Sequence, residues 1–101
     1  MKNITLLIIG LLISVIGIMN IKGNISSIHW YNRRKVKQED VPEYGKLMGI
    51  GTLLIGITLI ILYFLIKIDL KYLMDWLIVP LIIVSIGIMF YAQFKYNRGI
   101  F

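Results

Sequence analysis

This sequence predicts an all-α fold: an integral membrane bundle of three transmembrane helices with a basic cytoplasmic loop between the first and second. Three observations predict it. Apolar stretches at 4–21, 47–66 and 76–91 contain no Asp, Glu, Lys, Arg or His. Each is long enough to cross, or nearly cross, a hydrocarbon core that takes about 20 helical residues to span. The runs are continuous rather than alternating, which rules out barrel strands. An unpaired backbone group in lipid costs several kcal/mol, so a spanning segment outside a barrel must be a helix. Finally, most of the positive charge is gathered between the first two stretches.

Composition agrees. Hydrophobic residues make up 58% of 101, against roughly 45–50% in soluble domains. Little is left for a water-soluble core, so the chain reads as one membrane domain over 1–101, with helices at about 3–22, 41–66 and 70–94. The absence of cysteine excludes disulfides, thiolate metal sites and a Cys nucleophile. A net charge of +6 accompanies no nucleic-acid motif. Its reading is membrane topogenesis and attraction to anionic headgroups.

The first helix follows a minimal basic start at Lys2. Its apolar run is longer than the 7–15 residues of a signal-peptide core, and no small-x-small cleavage pattern follows, so it reads as a retained helix. Lys22 serves its last turn and Gly23-Asn24 stops it. In the loop over 22–46, Ser26 or Ser27 caps a short interfacial helix carrying Ile28, Trp30 and Tyr31. Asp40-Val41-Pro42-Glu43 then reads as a helix start: Asp40 caps, Pro42 tolerates the first turn and Glu43 takes the reciprocal capping position. The second helix exceeds a minimal span, which predicts tilt or protrusion. In the short, charge-balanced second connection, Asp69 or Asp75 is expected to cap the third helix. Pro80 kinks that helix if it starts near Leu70 and does little damage if it starts at Trp76.

Orientation follows from Lys and Arg alone. Lys22, Arg33, Arg34, Lys35, Lys37 and Lys46 in the first loop, with Lys95 and Arg98 in the tail, stand against Lys2, Lys67 and Lys71, eight to three. The expected topology is N-terminus outside and C-terminus cytoplasmic. Trp30, Tyr31, Tyr44, Tyr91 and Tyr96 then form an inner aromatic belt, and Tyr63, Tyr72 and Trp76 an outer one.

Between helices in lipid, close approach at small residues replaces the hydrophobic effect as organiser. Gly10, Ser14 and Gly17 are spaced four then three; Gly49, Thr52 and Gly56 are spaced three then four, with Gly45 extending the stripe. Each set keeps one helical face. One spacing reverses the other, as an antiparallel hairpin requires, pairing Gly17 with Gly49, Ser14 with Thr52 and Gly10 with Gly56.

Chemistry-bearing groups are few. His29, the one histidine, lies in the loop without a second His or a Cys for a metal site. Ser26 and Ser27 lack a nucleophile-elbow context. Neither an enzyme nor a cofactor is expected. A carrier declares itself by an intramembrane ionisable residue, whereas the polar groups at depth here are Ser14, Thr52, Thr58 and Ser85. Small hydroxyls bond within their own helix. Arg33-Arg34-Lys35-x-Lys37 fixes orientation and suits anionic lipid, at about 1 kcal/mol per basic residue near the surface, or an acidic partner.

Tyr31-Asn32, Glu39-Asp40, Tyr44 and Lys46-Leu47-Met48-Gly49 resemble a family of small, functionally uncharacterised bacterial membrane proteins with about 100 residues and three helices. Their first loop carries a Tyr-Asn pair, an acidic pair, a Tyr and a Lys/Arg-x-x-Gly helix entry. More distantly, the entry is similar to the membrane domain of SdpI-type bacteriocin immunity proteins. The resemblance covers residues 30–56 and departs at Arg33-Arg34-Lys35, where small polar residues are more typical. It implies a cytoplasmic hairpin loop of shared shape and supplies no activity.

These readings give a bacterial inner-membrane protein of interaction type, accessory or immunity-like. Its loop is expected to meet anionic headgroups or a partner, either another membrane protein or a second copy of the chain. The alternative is a holin-like oligomeric pore former, suggested by three helices and a basic tail and opposed by the short tail and long first loop.

Overall fold

The computed structural model describes residues 4–25, 36–69 and 72–98. Helix α1 spans Ile4–Ile21. A short 3-10 turn at Gln38–Asp40 leads directly into α2, Val41–Lys67. The third span opens with a π-helical turn at Met74–Ile78 and continues as α3, Val79–Tyr96. No strand occurs among the described residues. All three helical segments are long and apolar enough to cross a membrane. The longest dimension, 46 Å, matches a bilayer of about 40–45 Å with its headgroups. The chain is a small helical bundle and a multi-pass membrane protein.

Helix α2 lies between the other two. Both α1 and α3 pack closely along it, and there is no comparable approach between α1 and α3 themselves. The outward faces are therefore large and apolar: Leu12 is 60% exposed, Ile83 64% and Trp76 84%. In water such exposure would cost about 25 cal/mol per Å²; against lipid tails that cost vanishes. The buried set is small or polar by comparison, with Asn20, Thr58, Ser85, Gln93 and Asn97 beside Tyr44, Met48, Leu65, Ile78 and Ala92.

Each helix ends on a left-handed residue. At α1, Gly23 (φ 102°) donates its N–H to the Asn20 carbonyl at 2.9 Å, and Asn24 donates to Met19 at 3.0 Å. This is a Schellman stop, which satisfies carbonyls the helix leaves open. Asp69 (φ 62°) plays the same part for α2, donating to Ile66 at 3.2 Å, and Arg98 (φ 58°) follows α3. A side chain in this region is strained where glycine is not. Gly23→Ala should therefore lower stability by about 1 kcal/mol, and Asp69→Gly should raise it by about 0.5 kcal/mol after the added freedom of the unfolded chain is counted. Thermal unfolding in detergent reads both; an Asp69→Gly protein melting below the parent would refute the strain.

Two sequence expectations need correction. Asp40 makes no side-chain capping bond, because its backbone is helical (φ −93°, ψ −7°) rather than in the extended conformation that aims a capping side chain. The 3-10 turn does that work, with Asp40 N–H on the Lys37 carbonyl at 2.9 Å and Val41 N–H on that of Gln38. Asp75 caps nothing, since it lies inside the π-helical turn. At Pro80, where the sequence leaves two helix starts open, the early start is the one found. Helix already runs through Tyr72 and Leu73, yet the wide turn at Met74–Ile78 sits just before the proline. In a regular α-helix the ring of Pro80 would clash with the carbonyl four residues back, at Trp76. The wider turn re-aims that carbonyl.

Candidate functional site

The face between α1 and α2 is a glycine seam. A β-carbon on Gly17 would lie 2.6 Å from the Leu53 nitrogen and 2.8 Å from the Gly49 carbonyl oxygen. One on Gly49 would lie 2.5 Å from the Gly17 oxygen and 2.6 Å from the Ile21 nitrogen. Towards the other end, a β-carbon on Gly10 would lie 2.9 Å from the Gly56 oxygen, and one on Gly56 would lie 2.7 Å from the Ser14 nitrogen and 2.8 Å from the Gly10 oxygen. A β-carbon on Gly45 would lie 2.7 Å from the Asn20 oxygen. Ser14 and Thr52 spend their hydroxyls within their own helices, on Gly10 O (2.7 Å) and Met48 O (2.8 Å). Thr58 and Ser85 do the same with Leu54 O (2.6 Å) and Leu81 O (2.7 Å). What Ser14 adds to the seam is its small size.

Gly51 is the glycine that sequence reading passed over. It stands two residues from Gly49, about 200° around the helix, and so faces α3, where a β-carbon would lie 2.9 Å from the Ser85 oxygen and would also strike Met89. Glycines on two opposite faces of α2 are what let it sit between two neighbours.

At the end of the bundle nearest the first loop, the helices close over polar groups. The fully buried Tyr44 hydroxyl on α2 donates to Gln93 Oε1 on α3. Asn20 in the last turn of α1 donates from Nδ2 to the Asn24 carbonyl at 2.8 Å. Buried Asn97 donates its backbone N–H to the Gln93 carbonyl at 3.0 Å. Tyr44, Met48 and Ala92 form the apolar part of this junction, with Ile25, Val36, Met89 and Tyr96 packed around them. Among the described residues no buried side-chain nitrogen or oxygen lacks a partner. Sequence reading missed Asn20, Gln93 and Asn97. Their shared signal was three amides at the first-loop end of the helices, level with a tyrosine.

The same end carries the exposed cations Lys22, Lys37, Lys46, Lys95 and Arg98. Arg33, Arg34 and Lys35, with Ser26, Ser27, Ile28, His29, Trp30 and Tyr31, lie outside the described residues. Of the basic cluster only Lys37 is placed, on the surface just before the 3-10 turn. Lys95 Nζ donates to Tyr91 Oη at 3.2 Å and lies 5.5 Å and 5.3 Å from the Tyr91 and Tyr96 ring centres. At the opposite end, Lys67 Nζ stands 5.7 Å from the Tyr63 ring centre, and Tyr72 and Trp76 are largely exposed. No three His, Asp or Glu side chains among the described residues come together as metal ligands. No protein-family model, curated protein or solved structure matches this chain.

Proposed function

We propose that this is a bacterial cell-membrane protein of interaction type, accessory or immunity-like, with its N-terminus outside and its C-terminus in the cytoplasm. Arg33, Arg34, Lys35 and Lys37 meet anionic headgroups or a membrane-protein partner on the cytoplasmic side. The observation that carries this reading is the gathering of cations at one end of the bundle. Lys22, Lys37, Lys46, Lys95 and Arg98 are exposed there, and Lys and Arg on short segments orient membrane proteins towards the cytoplasm. The immunity-like shade rests on the resemblance around 30–56 alone. The hydroxyls of Ser14, Thr52, Thr58 and Ser85 each bond a carbonyl of their own helix, so helix packing accounts for them without a pore.

Two measurements test this. A reporter fused after Phe101 should be active only when it is cytoplasmic; activity restricted to the outer side reverses the topology. Tagged protein should be harmless when expressed and should capture one membrane partner after cross-linking. Substituting Arg33, Arg34, Lys35 and Lys37 together by Gln should abolish that capture while insertion is retained. Collapse of the membrane potential on induction would replace this reading with the pore former.

A further inference from the structure

Gly87 stands apart from the other helical glycines. A β-carbon on Gly10, Gly17, Gly45, Gly49, Gly51 or Gly56 would come within 3 Å of a neighbouring helix's atoms, whereas one on Gly87 would meet nothing within 4 Å. Glycine inside a helix is about 1 kcal/mol less favourable than alanine, and no contact among the described residues accounts for it here. Gly87 is exposed in the middle of α3, on a face shared with Val84, Phe90, Tyr91 and Phe94. It is a notch in an otherwise large-residue surface.

The same face leads to a prepared cation. Gly87, Tyr91 and Lys95 follow at intervals of four, one helical stripe. Tyr91 and Tyr96 hold Lys95 as described above, and one of its three ammonium donors is spent on the Tyr91 hydroxyl. Arg98 lies just beyond, exposed. No acidic side chain follows Asp75 in the sequence; the carboxylates at this end of the bundle, Glu39, Asp40 and Glu43, belong to the entry of α2.

We infer that this face of α3 binds one anionic phospholipid, its phosphate at Lys95 and Arg98, its glycerol region at the Tyr91 hydroxyl and an acyl chain in the Gly87 notch. Charge selects this occupant over a second copy of the chain. A two-fold pair of membrane proteins of fixed orientation would set two α3 helices parallel across Gly87. Lys95 and Arg98 would then face their own equivalents at the same depth, a like-charge contact that an anionic headgroup turns into an attraction. The inference rests on one part of the function proposed above, that this end of the bundle lies among anionic headgroups. It is independent of the 33–37 cluster.

The test is native mass spectrometry of the full chain released from nanodiscs of mixed phosphatidylglycerol and phosphatidylcholine. The parent should retain one phosphatidylglycerol. Lys95→Gln should lower that retention about fivefold, the factor one headgroup-level cation carries, and Gly87→Leu should lower it at unchanged melting temperature. The 33–37 quadruple Gln variant should retain the lipid as the parent does. Parent-like retention by both Lys95→Gln and Gly87→Leu would overturn the site. So would loss of the lipid from the quadruple variant alone, which would assign lipid binding to the loop. Equal binding of free glycerol phosphate would remove the acyl notch, and rapid oxidative cross-linking of Gly87→Cys in vesicles would give the face to a second copy.

Discussion

Gly49→Leu is expected to destabilise the bundle by about 3 kcal/mol, the upper end of what overpacking usually costs. The reason is what a side chain there would strike. The nearest atoms are the Gly17 carbonyl oxygen at 2.5 Å and the Ile21 nitrogen and Cγ1 at 2.6 Å, and the first two are backbone. A flexible side chain would move aside; a helix backbone moves only by separating α1 from α2. Gly17→Leu should behave alike, since it meets the Leu53 nitrogen at 2.6 Å. Gly87→Leu, with open space around it, is the matched control and should melt near the parent. Thermal unfolding in detergent gives the comparison, and parent-like melting of both seam variants would dismiss the seam as the organiser of the hairpin.

The second large effect is expected at the polar junction. Tyr44→Phe removes the donor to Gln93 Oε1, in a residue only 4% exposed. A hydrogen bond of this kind contributes about 0.5–1.5 kcal/mol net. Gln93→Ala should cost a similar amount. Combined, the two should cost less than their sum by about 1 kcal/mol, since hydrogen bonds between membrane helices measured this way lie near or below that value. Strict additivity in this cycle would mean that the pair contributes packing and no specific bond.

The helical class was legible because uninterrupted apolar runs leave a lipid-embedded backbone almost no other choice. The four-three spacing of Gly10, Ser14 and Gly17 and the three-four spacing of Gly49, Thr52 and Gly56 put Gly17 level with Gly49, and the close approaches of α1 and α2 fall at Gly17–Gly49 and Gly10–Gly56. What lay beyond reach were features that exist only between elements. Gln93 reads as an ordinary polar residue near a helix end until α3 brings it over Tyr44, 49 positions away in the chain. Gly51 reads as one more small residue until the turn of α2 aims it at α3. At Pro80 the sequence permits two helix starts, and the widened turn that reconciles an early start with the proline is a cooperative backbone adjustment with no residue-level marker.

The central place of α2 carries a consequence for the order in which the protein assembles. A ribosome delivers α1 and α2 before α3, and chains tend to fold from the N-terminus as they are made. The glycine seam needs only those first two helices, so it is complete as a hairpin while the rest of the chain is still being synthesised. Until α3 arrives, the far side of α2 presents Gly51 and the Tyr44 hydroxyl to the bilayer. Arrival of Ser85, Met89 and Gln93 fills that side, making the last helix the latch on a structure already half built.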